Sequence, residues 1–183
     1  NKIDNSKIVM ITTEENIKTL HDTVLAKLKE NFGDAIISSA IDYDFPVFVV
    51  TRENVYAVLK FLKEDAELNF HFLTTMCALH YPENPGKEFG IMYQLHNMPK
   101  NFRIRLKTFI PGNDLEIPTV TSLWATANWM ERQEYDFFGV IFTGHPNLKR
   151  ILNMDDITFF PLRKEFPLED QTRDDKNDSM FGR

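Results

Sequence analysis

Two neighbouring stretches in the middle of the chain alternate between large apolar and other side chains, and this pattern constrains the fold most. In residues 89–95 the partners of the apolar side chains are Gly, Met and Gln, and in residues 102–110 they are mainly Arg and Lys. A period of two predicts strands with one buried face. The connection NMPKN predicts an antiparallel hairpin. One face of the second strand is basic and carries Arg103, Arg105 and Lys107. We expect this face to be exposed to solvent; contact with an acidic neighbour is the alternative.

The segments before this hairpin predict two helices and three more strands. Residues 14–32 have an apolar stripe at helical spacing after a capping-box sequence at residues 12–15, and residues 53–67 have a second stripe. The strands are predicted at residues 35–41, 46–51 and 70–81. Because residues 46–51 are apolar on both faces, we expect that strand inside the sheet.

This order of elements predicts an α+β fold of two layers, with a largely antiparallel or mixed sheet that carries helices on one face. A charged helix follows at residues 129–138, and from Gly139 onward the chain shows little periodicity. We therefore expect a core domain at residues 1–138 and a long irregular extension at residues 139–183. Six acidic residues outnumber three basic ones after residue 164, so this end has too little apolar surface to fold alone.

The composition argues against several classes of function. The single cysteine, Cys77, cannot hold an iron–sulfur cluster or a four-cysteine zinc site alone, and the five histidines lack the spacing of a metal motif. A net charge of −6 disfavours nucleic acid as a partner. There is no Walker loop or dinucleotide-binding fingerprint. No apolar run is long enough for a membrane span and residues 1–4 have no signal layout, so we expect neither secretion nor membrane insertion.

The charged helix has a catalytic and a structural interpretation. Glu131 and Glu134 lie three residues apart on one helix face, a spacing that acid–base pairs use. With His145 they could serve a free-standing enzyme. In the favoured structural interpretation, Asn128 caps the helix with Glu131 at the third position, and Arg132 and Asp136 form an i, i+4 ion pair.

Helical spacing places Glu134 on the same side as Met130 and the two phenylalanines that follow it. A carboxylate on an apolar stripe is expected to be buried, and a buried carboxylate requires a compensating partner. We expect Arg150 or Arg163 to supply the charge; arginine or amide groups of another subunit are the alternative.

The sequence around this helix resembles a known family. Residues 129–140 read WMERQEYDFFGV, residues 142–152 read FTGHPNLKRIL and residues 161–167 read PLRKEFP. Together they resemble the signature of the C-type subunit, also called the 30 kDa-type subunit, of proton-pumping NADH:quinone oxidoreductase, respiratory complex I. Gln133 departs from the pattern, since the family usually has a second glutamate there.

The resemblance implies a non-catalytic structural subunit of the hydrophilic arm, within a complex that couples electron transfer from NADH to quinone to proton translocation. FMN, iron–sulfur clusters and quinone would belong to other subunits. The implied partners are a subunit of the D type, at the quinone cavity, and one of the B type, which holds the terminal cluster. Such a subunit is peripheral, on the cytoplasmic side of a bacterial membrane or the matrix side in an organelle. The alternative is the homologous subunit of a related membrane-bound hydrogenase or other complex I-like dehydrogenase.

From this resemblance we predict that residues 139–152, the Arg163 region and the chain end form the docking surface. Gly139 would end the helix, and His145 with Pro146 would fix a turn. The residues expected to shape or form the surface are Glu131, Arg132, Glu134, Asp136, Gly139, His145, Pro146, Leu148, Arg150 and Arg163.

Overall fold

The computed structural model describes residues 14–166 of the chain. The elements in this range are α1 (Glu14–Phe32), β1 (Ile36–Asp42), β2 (Phe45–Val50), α2 (Val55–Glu64), β3 (Phe72–His80), β4 (Phe89–Asn97), β5 (Phe102–Ile110), β6 (Glu116–Pro118), α3 (Ala127–Phe138) and β7 (Ile141–Thr143). The start of the capping-box sequence and the acidic end from residue 167 lie outside the described residues. Within the described range, no helix is both long and apolar enough to cross a bilayer.

The main sheet has five strands in the order β1-β2-β5-β4-β3. Only β2 and β5 run parallel, and the other neighbours are antiparallel. The sheet is therefore mixed, and the α+β prediction is confirmed. The apolar strand β2 lies inside the sheet as predicted, although β5 is its middle strand. A second sheet pairs β6 with β7 in parallel.

The predicted hairpin is present as β4 and β5, in register from Phe89 opposite Ile110 to Asn97 opposite Phe102. Asn101 in its turn has a φ of 51°, which asparagine tolerates better than most residues. The turn between β1 and β2 has two residues at positive φ, Tyr43 and Asp44. This is the pattern of a tight hairpin whose twist matches that of its strands.

One face of the sheet packs against the helices to form the core. A row of buried residues crosses four strands: Phe48, Leu106, Tyr93 and Met76. Leu28 of α1 and Leu62 of α2 are fully buried in the same cluster, which continues into β6, α3 and β7 through residues such as Phe142. The helices thus share one face, as predicted, and burial of this apolar surface is the main source of stability.

Two predictions about surfaces and irregular chain need correction. Immediately after Gly139 the chain is not irregular, because Ile141–Thr143 forms β7, and Val140 and Phe142 are buried in the core. A strand of three residues is too short for its period to show in the sequence. The second face of β4 is also less wet than expected, since Gly90 and His96 are buried. The division of the chain at residue 138 stays a prediction.

Candidate functional site

The candidate site is built on α3, whose N-terminal half is held in place by Glu131. The helix begins at Ala127, and the Asn128 cap predicted from the sequence is wrong, because Asn128 lies inside the helix. Glu131 is fully buried and accepts hydrogen bonds from the Val120 amide at 2.7 Å and from the Thr119 hydroxyl at 2.5 Å. It therefore fastens α3 to the turn that follows β6. Burial raises its pKa to about 7, against the opposing effect of these two hydrogen bonds.

Glu134 fastens the same helix to the edge of the main sheet. It is 2% exposed and accepts a hydrogen bond of 2.7 Å from the amide of Ala78, on the edge strand β3. The side-chain amide of Gln133 donates to its other oxygen at 3.3 Å. Burial raises the pKa of Glu134 to about 7, because two neutral donors only partly offset the loss of water.

The prediction that Arg150 or Arg163 pairs with Glu134 is wrong, whereas the predicted burial of Glu134 is confirmed. Among the described residues Glu134 forms no salt bridge, and Arg150 and Arg163 bind elsewhere. The free amide of an edge strand substitutes for the cation, and this partner lies 56 residues away in the sequence. Gln133 fits the arrangement, since its amide donates a hydrogen bond that a glutamate at this position could not donate when ionised.

Asp136 is the centre of the site. It is fully buried and receives hydrogen bonds from three consecutive amides, those of Ile151, Leu152 and Asn153, at 2.8–3.1 Å. The side chain of Asn153 and the guanidinium of Arg150 donate as well, at 3.0 and 2.8 Å. Burial opposes ionisation, but the donors together hold the pKa of Asp136 well below its usual range. The carboxylate thus binds a loop that returns to α3.

The predicted ion pair between Arg132 and Asp136 is wrong. Arg132 donates to the backbone carbonyls of Lys149 and Arg150 at 3.1 and 3.3 Å, while Asp136 pairs with Arg150. Asp136 is occupied by the returning loop, which the sequence spacing within the helix could not indicate. Arg132 still serves the predicted purpose, because it holds this loop against α3.

The last turn of α3 is completed by residues that come later in the chain. A helix leaves its final carbonyl groups without partners inside the helix. Here Arg150 donates to the Asp136 carbonyl at 2.9 Å, the Leu162 amide to that of Phe137 at 3.3 Å, and Arg163 to that of Phe138 at 2.8 Å. We call residues 144–166 the C-terminal segment. This segment packs along the end of α3, where it supplies the hydrogen-bond donors for these carbonyls.

Gly139 ends α3 as predicted and also permits close packing. Its φ is 78°, in the left-handed region that favours glycine, and its amide donates to the Tyr135 carbonyl. A Cβ at this position would lie 2.6 Å from the ring of Phe160 and 2.7 Å from Nη2 of Arg163. The C-terminal segment therefore packs directly on the glycine backbone.

His145 begins the C-terminal segment's return to the helix. Its Nε2 lies 3.2 Å from the carbonyl oxygen of Asn128, and its Nδ1 accepts a hydrogen bond of 3.0 Å from the Asn147 amide. Pro146 is exposed in this turn, and Leu148 is partly buried against the core. This geometry is a turn held by side-chain bonds, as the sequence analysis expects of His145 and Pro146.

Large apolar side chains are exposed mainly around the C-terminal segment. We define the apolar docking face as Trp129, Ile141, Leu152, Met154, Phe159, Leu162 and Phe166, whose exposed fractions range from 39% to 67%. These seven are more than half of the twelve exposed large apolar side chains in residues 15–166. Most of them were missed by sequence reasoning, because apolar residues without a period indicate neither a core nor a surface. The sequence feature that could have indicated them is the presence of large apolar residues in a stretch with no helical or strand pattern.

Apart from His145, Pro146 and Leu148 in the turn described above, the predicted site residues fall into two groups. Arg132, Asp136, Gly139, Arg150 and Arg163 are brought together where the C-terminal segment meets α3. Glu131 and Glu134 accept hydrogen bonds from Thr119, Val120 and Ala78 instead, so their part in shaping the loop at residues 139–152 stays a prediction. Within residues 14–166, no group of three or more His, Cys, Asp or Glu side chains could hold a metal ion.

Comparison with known proteins agrees with the sequence signature. Residues 48–172 match the family model described as the 30 kDa subunit of respiratory-chain NADH dehydrogenase. The C-type subunit 2 of NADH-quinone oxidoreductase from Rhizobium etli is 40% identical over 144 residues, which cover 78% of this chain and 75% of that protein. The C-type subunit of NADH-quinone oxidoreductase from Citrifermentans bemidjiense is 40% identical over 155 residues, 84% of this chain and 94% of that protein.

Solved structures share the fold. The trypsin-resistant fragment 1–134 of Nqo5 aligns with a TM-score of 0.59 and 29% identity, over 68% of this chain and 99% of the fragment. A chain of the membrane-bound sulfane sulfur reductase, an archaeal respiratory membrane complex, aligns with a TM-score of 0.68 and 25% identity, over 80% of this chain and 85% of that one. The chain therefore belongs to the family of the 30 kDa subunit of respiratory-chain NADH dehydrogenase, also called the C-type subunit of NADH-quinone oxidoreductase.

Proposed function

We propose that this chain is a non-catalytic assembly subunit of the hydrophilic arm of a complex I-type NADH:quinone oxidoreductase, and that its C-terminal segment docks on neighbouring subunits. The observation that carries the proposal is the apolar docking face. Seven large apolar side chains exposed on or beside one segment indicate an interaction site, because leaving them in water is unfavourable. Aromatic and methionine side chains such as Trp129 and Met154 are also the types enriched in interface cores.

The backbone beneath this face is held by bonds within the chain. Asp136 and Arg150 bind the loop at residues 150–153, and Arg150 also donates to the carbonyls of Ile157 and Phe159 at 2.9 and 3.2 Å. Phe160 packs edge-on against Tyr135 and under the guanidinium of Arg163. A surface that is ordered in advance loses less conformational entropy on association, which favours tight docking.

The proposed partners are the D-type subunit at the quinone cavity and the B-type subunit that holds the terminal iron–sulfur cluster. The family resemblance supports this assignment, and the position of the signature residues supports it further. The signature residues Asp136, Gly139, Arg150 and Arg163 all shape the segment that displays the apolar docking face. We therefore expect those residues to act through the segment, while the apolar side chains make the contacts.

The alternative of a free-standing enzyme has little support in the geometry. Glu131 and Glu134 are almost completely buried, and the oxygens of each are bound to donors from the core domain. His145 is bound in a separate turn. A general base must reach a substrate proton, which these three side chains cannot do together. We infer that FMN, the clusters and quinone lie in other subunits.

The proposed location follows from the same assignment. A subunit of the hydrophilic arm lies outside the lipid, on the cytoplasmic side of a bacterial membrane or on the matrix side in an organelle. Protease treatment of sealed membrane vesicles of known orientation tests this, because the added protease can cleave the chain only when the chain lies on the outer surface of the vesicle.

The docking proposal is tested by the double variant Leu152→Ser and Met154→Ser. Both side chains are about two-thirds exposed, so their loss should leave the isolated chain as stable as the original. The control is Tyr43→Ser with Met98→Ser, which removes similarly exposed apolar side chains on turns at the other end of the strands. We expect the first variant, but not the control, to lose co-purification with the D-type and B-type subunits from solubilised membranes.

Two results would contradict the proposal. Normal assembly of the complex with the Leu152 and Met154 variant would show that the apolar docking face is not the interface. Equal loss of assembly in the control would show that exposed apolar side chains act through solubility or folding, and not through a specific contact.

A further inference from the structure

The main sheet has a second face that no described element covers. The helices and the small sheet share the core on one side, so residues that alternate with the buried rows point to the other side. The register places rows across β2, β5, β4 and β3 on this open face: Val49, Lys107, Met92 and Cys77, and beside them Val47, Arg105, Gln94 and Thr75. The open face is thus wide enough for another element to lie on it.

This face is basic, although the chain as a whole has a net charge of −6 and Asp42, opposite Phe45 on the edge strand β1, lies on the same face. Arg103, Arg105 and Lys107 follow one another at every second residue of the middle strand β5. Among residues 14–166 no carboxylate lies within 4.0 Å of any of the three. We call these three side chains the cationic column.

The cationic column is flanked by apolar side chains on both sides. Val47 and Val49 line it on β2, and Met92 lines it on β4, each buried or half-buried. Arg105 lies over the ring of Phe45 at 4.2 Å, and its Nε donates to the Gln94 side chain at 3.3 Å. The methylene chains of the arginine and lysine side chains cover part of this apolar surface, which the side chains of a partner could cover instead.

The spacing of the column fits one kind of partner. Side chains on the same face of a strand repeat about every 6.8 Å along it. In an α-helix, residues four apart lie about 6 Å apart along the axis on nearly the same face. A helix lying along β5 can therefore place Asp or Glu at every fourth position over successive cations. Nucleic acid fits less well, since three cations are few for a chain of this negative charge.

We propose that the open sheet face, centred on the cationic column, is a second docking surface that binds an acidic amphipathic helix of another protein. The helix carries a row of carboxylates beside apolar side chains that pack on the half-buried Val49 and Met92. This surface is separate from the apolar docking face, and it does not depend on the function proposed above.

Binding is tested with the full chain and a synthetic probe. The probe is an acetylated helical peptide of about 18 residues, with Glu at every fourth position beside a stripe of Leu. A peptide with Gln in place of each Glu is its control. We expect calorimetry to show binding of the Glu peptide that weakens as NaCl rises from about 0.05 to about 0.5 M. The variant Arg103→Glu, Arg105→Glu, Lys107→Glu should weaken it roughly ten- to a hundredfold.

A matched variant separates local from overall charge. Lys29, Lys60 and Lys87 are exposed and lie off the open face, so Lys29→Glu, Lys60→Glu, Lys87→Glu changes the net charge equally. This variant should bind the Glu peptide within about twofold of the original. Equal weakening in both variants, or equal binding of the Gln peptide, would overturn the proposal.

The natural occupant is identified by a photo-cross-linking residue at Met92 in native membranes. The proposal expects an adduct on an acidic helix of another protein. An adduct on residues 167–183 of the same chain, on lipid or on nucleic acid would overturn it, as would the absence of any adduct. Co-purification of the D-type and B-type subunits reports separately on the apolar docking face, so the two proposals can fail independently.

Discussion

Three carboxylates on α3 are almost completely buried, but their environments have opposite effects on their ionisation. Glu131 and Glu134 each receive two neutral donors, and burial raises the pKa of each to about 7. Asp136 is also shielded from solvent, but three amides, Asn153 and Arg150 hold its pKa well below the usual range. The difference follows from the number and charge of the donors, together with the shallower position of Asp136 in the fold.

These raised pKa values make stability depend on pH in a defined direction. A carboxyl group whose folded pKa lies above its unfolded value stabilises the fold fully below the unfolded pKa, here 4.5. That contribution is lost as pH rises through the folded pKa of about 7. Asp136 acts in the opposite direction, since its contribution is present above an unfolded pKa of 3.8 and is lost as pH falls further. We expect maximal stability at mildly acidic pH.

The variant Glu131→Gln tests this account. A glutamine can still accept from the Val120 amide and can donate to Thr119 Oγ1, but it never carries the buried charge. We expect its free energy of unfolding to match the original at about pH 5 and to exceed it by roughly 1–3 kcal/mol at about pH 8. Urea titration at both values measures this.

Glu131→Ala is the control, because it loses both hydrogen bonds and should be less stable at both pH values. A Glu131→Gln variant that is less stable than the original at the alkaline value would contradict the account. It would mean that the ionised carboxylate is stabilised by its donors more than it is opposed by burial.

For individual side chains, the sequence predicts burial better than it predicts hydrogen-bond partners. The helical period alone places Glu134 on an apolar stripe, and its burial is confirmed. Its partner, the Ala78 amide, is a backbone group of an edge strand 56 residues away, and backbone amides carry no residue-type signal. The same reason explains why the backbone donors to Asp136 and the backbone acceptors of Arg132 were not foreseen.

Among the elements, α3 and the C-terminal segment depend on each other. The helix offers its last carbonyl groups and Asp136, and the segment returns Arg150, Arg163 and its own amides to bind them. The segment needs no regular secondary structure, because these bonds replace a helical or strand ladder. In this segment, a stretch of sequence without periodicity corresponds to hydrogen bonds with a distant helix.

Gly139 is the point where helix and segment approach most closely, so Gly139→Ala tests their dependence. Gly86→Ala is the matched control, since the φ values are 78° and 79° but nothing lies within 4 Å of a Cβ at Gly86. We expect Gly86→Ala to cost about 1–2 kcal/mol from backbone strain alone. Gly139→Ala should cost about 2 kcal/mol more, because Phe160 and Arg163 must move.

The accompanying structural change is measured by hydrogen exchange at the Leu162 amide, which donates to the Phe137 carbonyl. Exchange there should be faster in Gly139→Ala and unchanged in Gly86→Ala. Equal destabilisation by both substitutions, with Leu162 unaffected, would show that the segment does not rest on the glycine.

Element prediction from the sequence succeeds where the pattern is long. The helix α1 and the hairpin β4–β5 are found nearly as predicted, since a helix of 19 residues and strands of 9 display their period clearly. The strand β7 has three residues and is missed. Short elements are stabilised by tertiary contacts, which a local pattern does not contain.

The two faces of the main sheet and the region around α3 differ in chemical character within the described residues. One sheet face is the core, the other carries the cationic column, and the apolar docking face lies around α3 and the C-terminal segment. The fold class and the family could be predicted from the sequence, because strand alternation and a long ordered motif are local signals. Most of the apolar docking face could not, because its side chains follow no period and their exposure depends on how the segment packs against α3.

If the proposed docking is right, other subunits cover the C-terminal segment in the assembled complex. The most direct test is the rate at which N-ethylmaleimide alkylates a cysteine introduced by Met154→Cys, in a chain whose native thiol is removed by Cys77→Ala. We expect the rate in native membranes to be at least about tenfold lower than in the isolated chain. The control Met98→Cys, at a side chain that is 53% exposed on the far turn, should react equally in both. Equal rates for Met154→Cys in membranes and in isolation would contradict the claim.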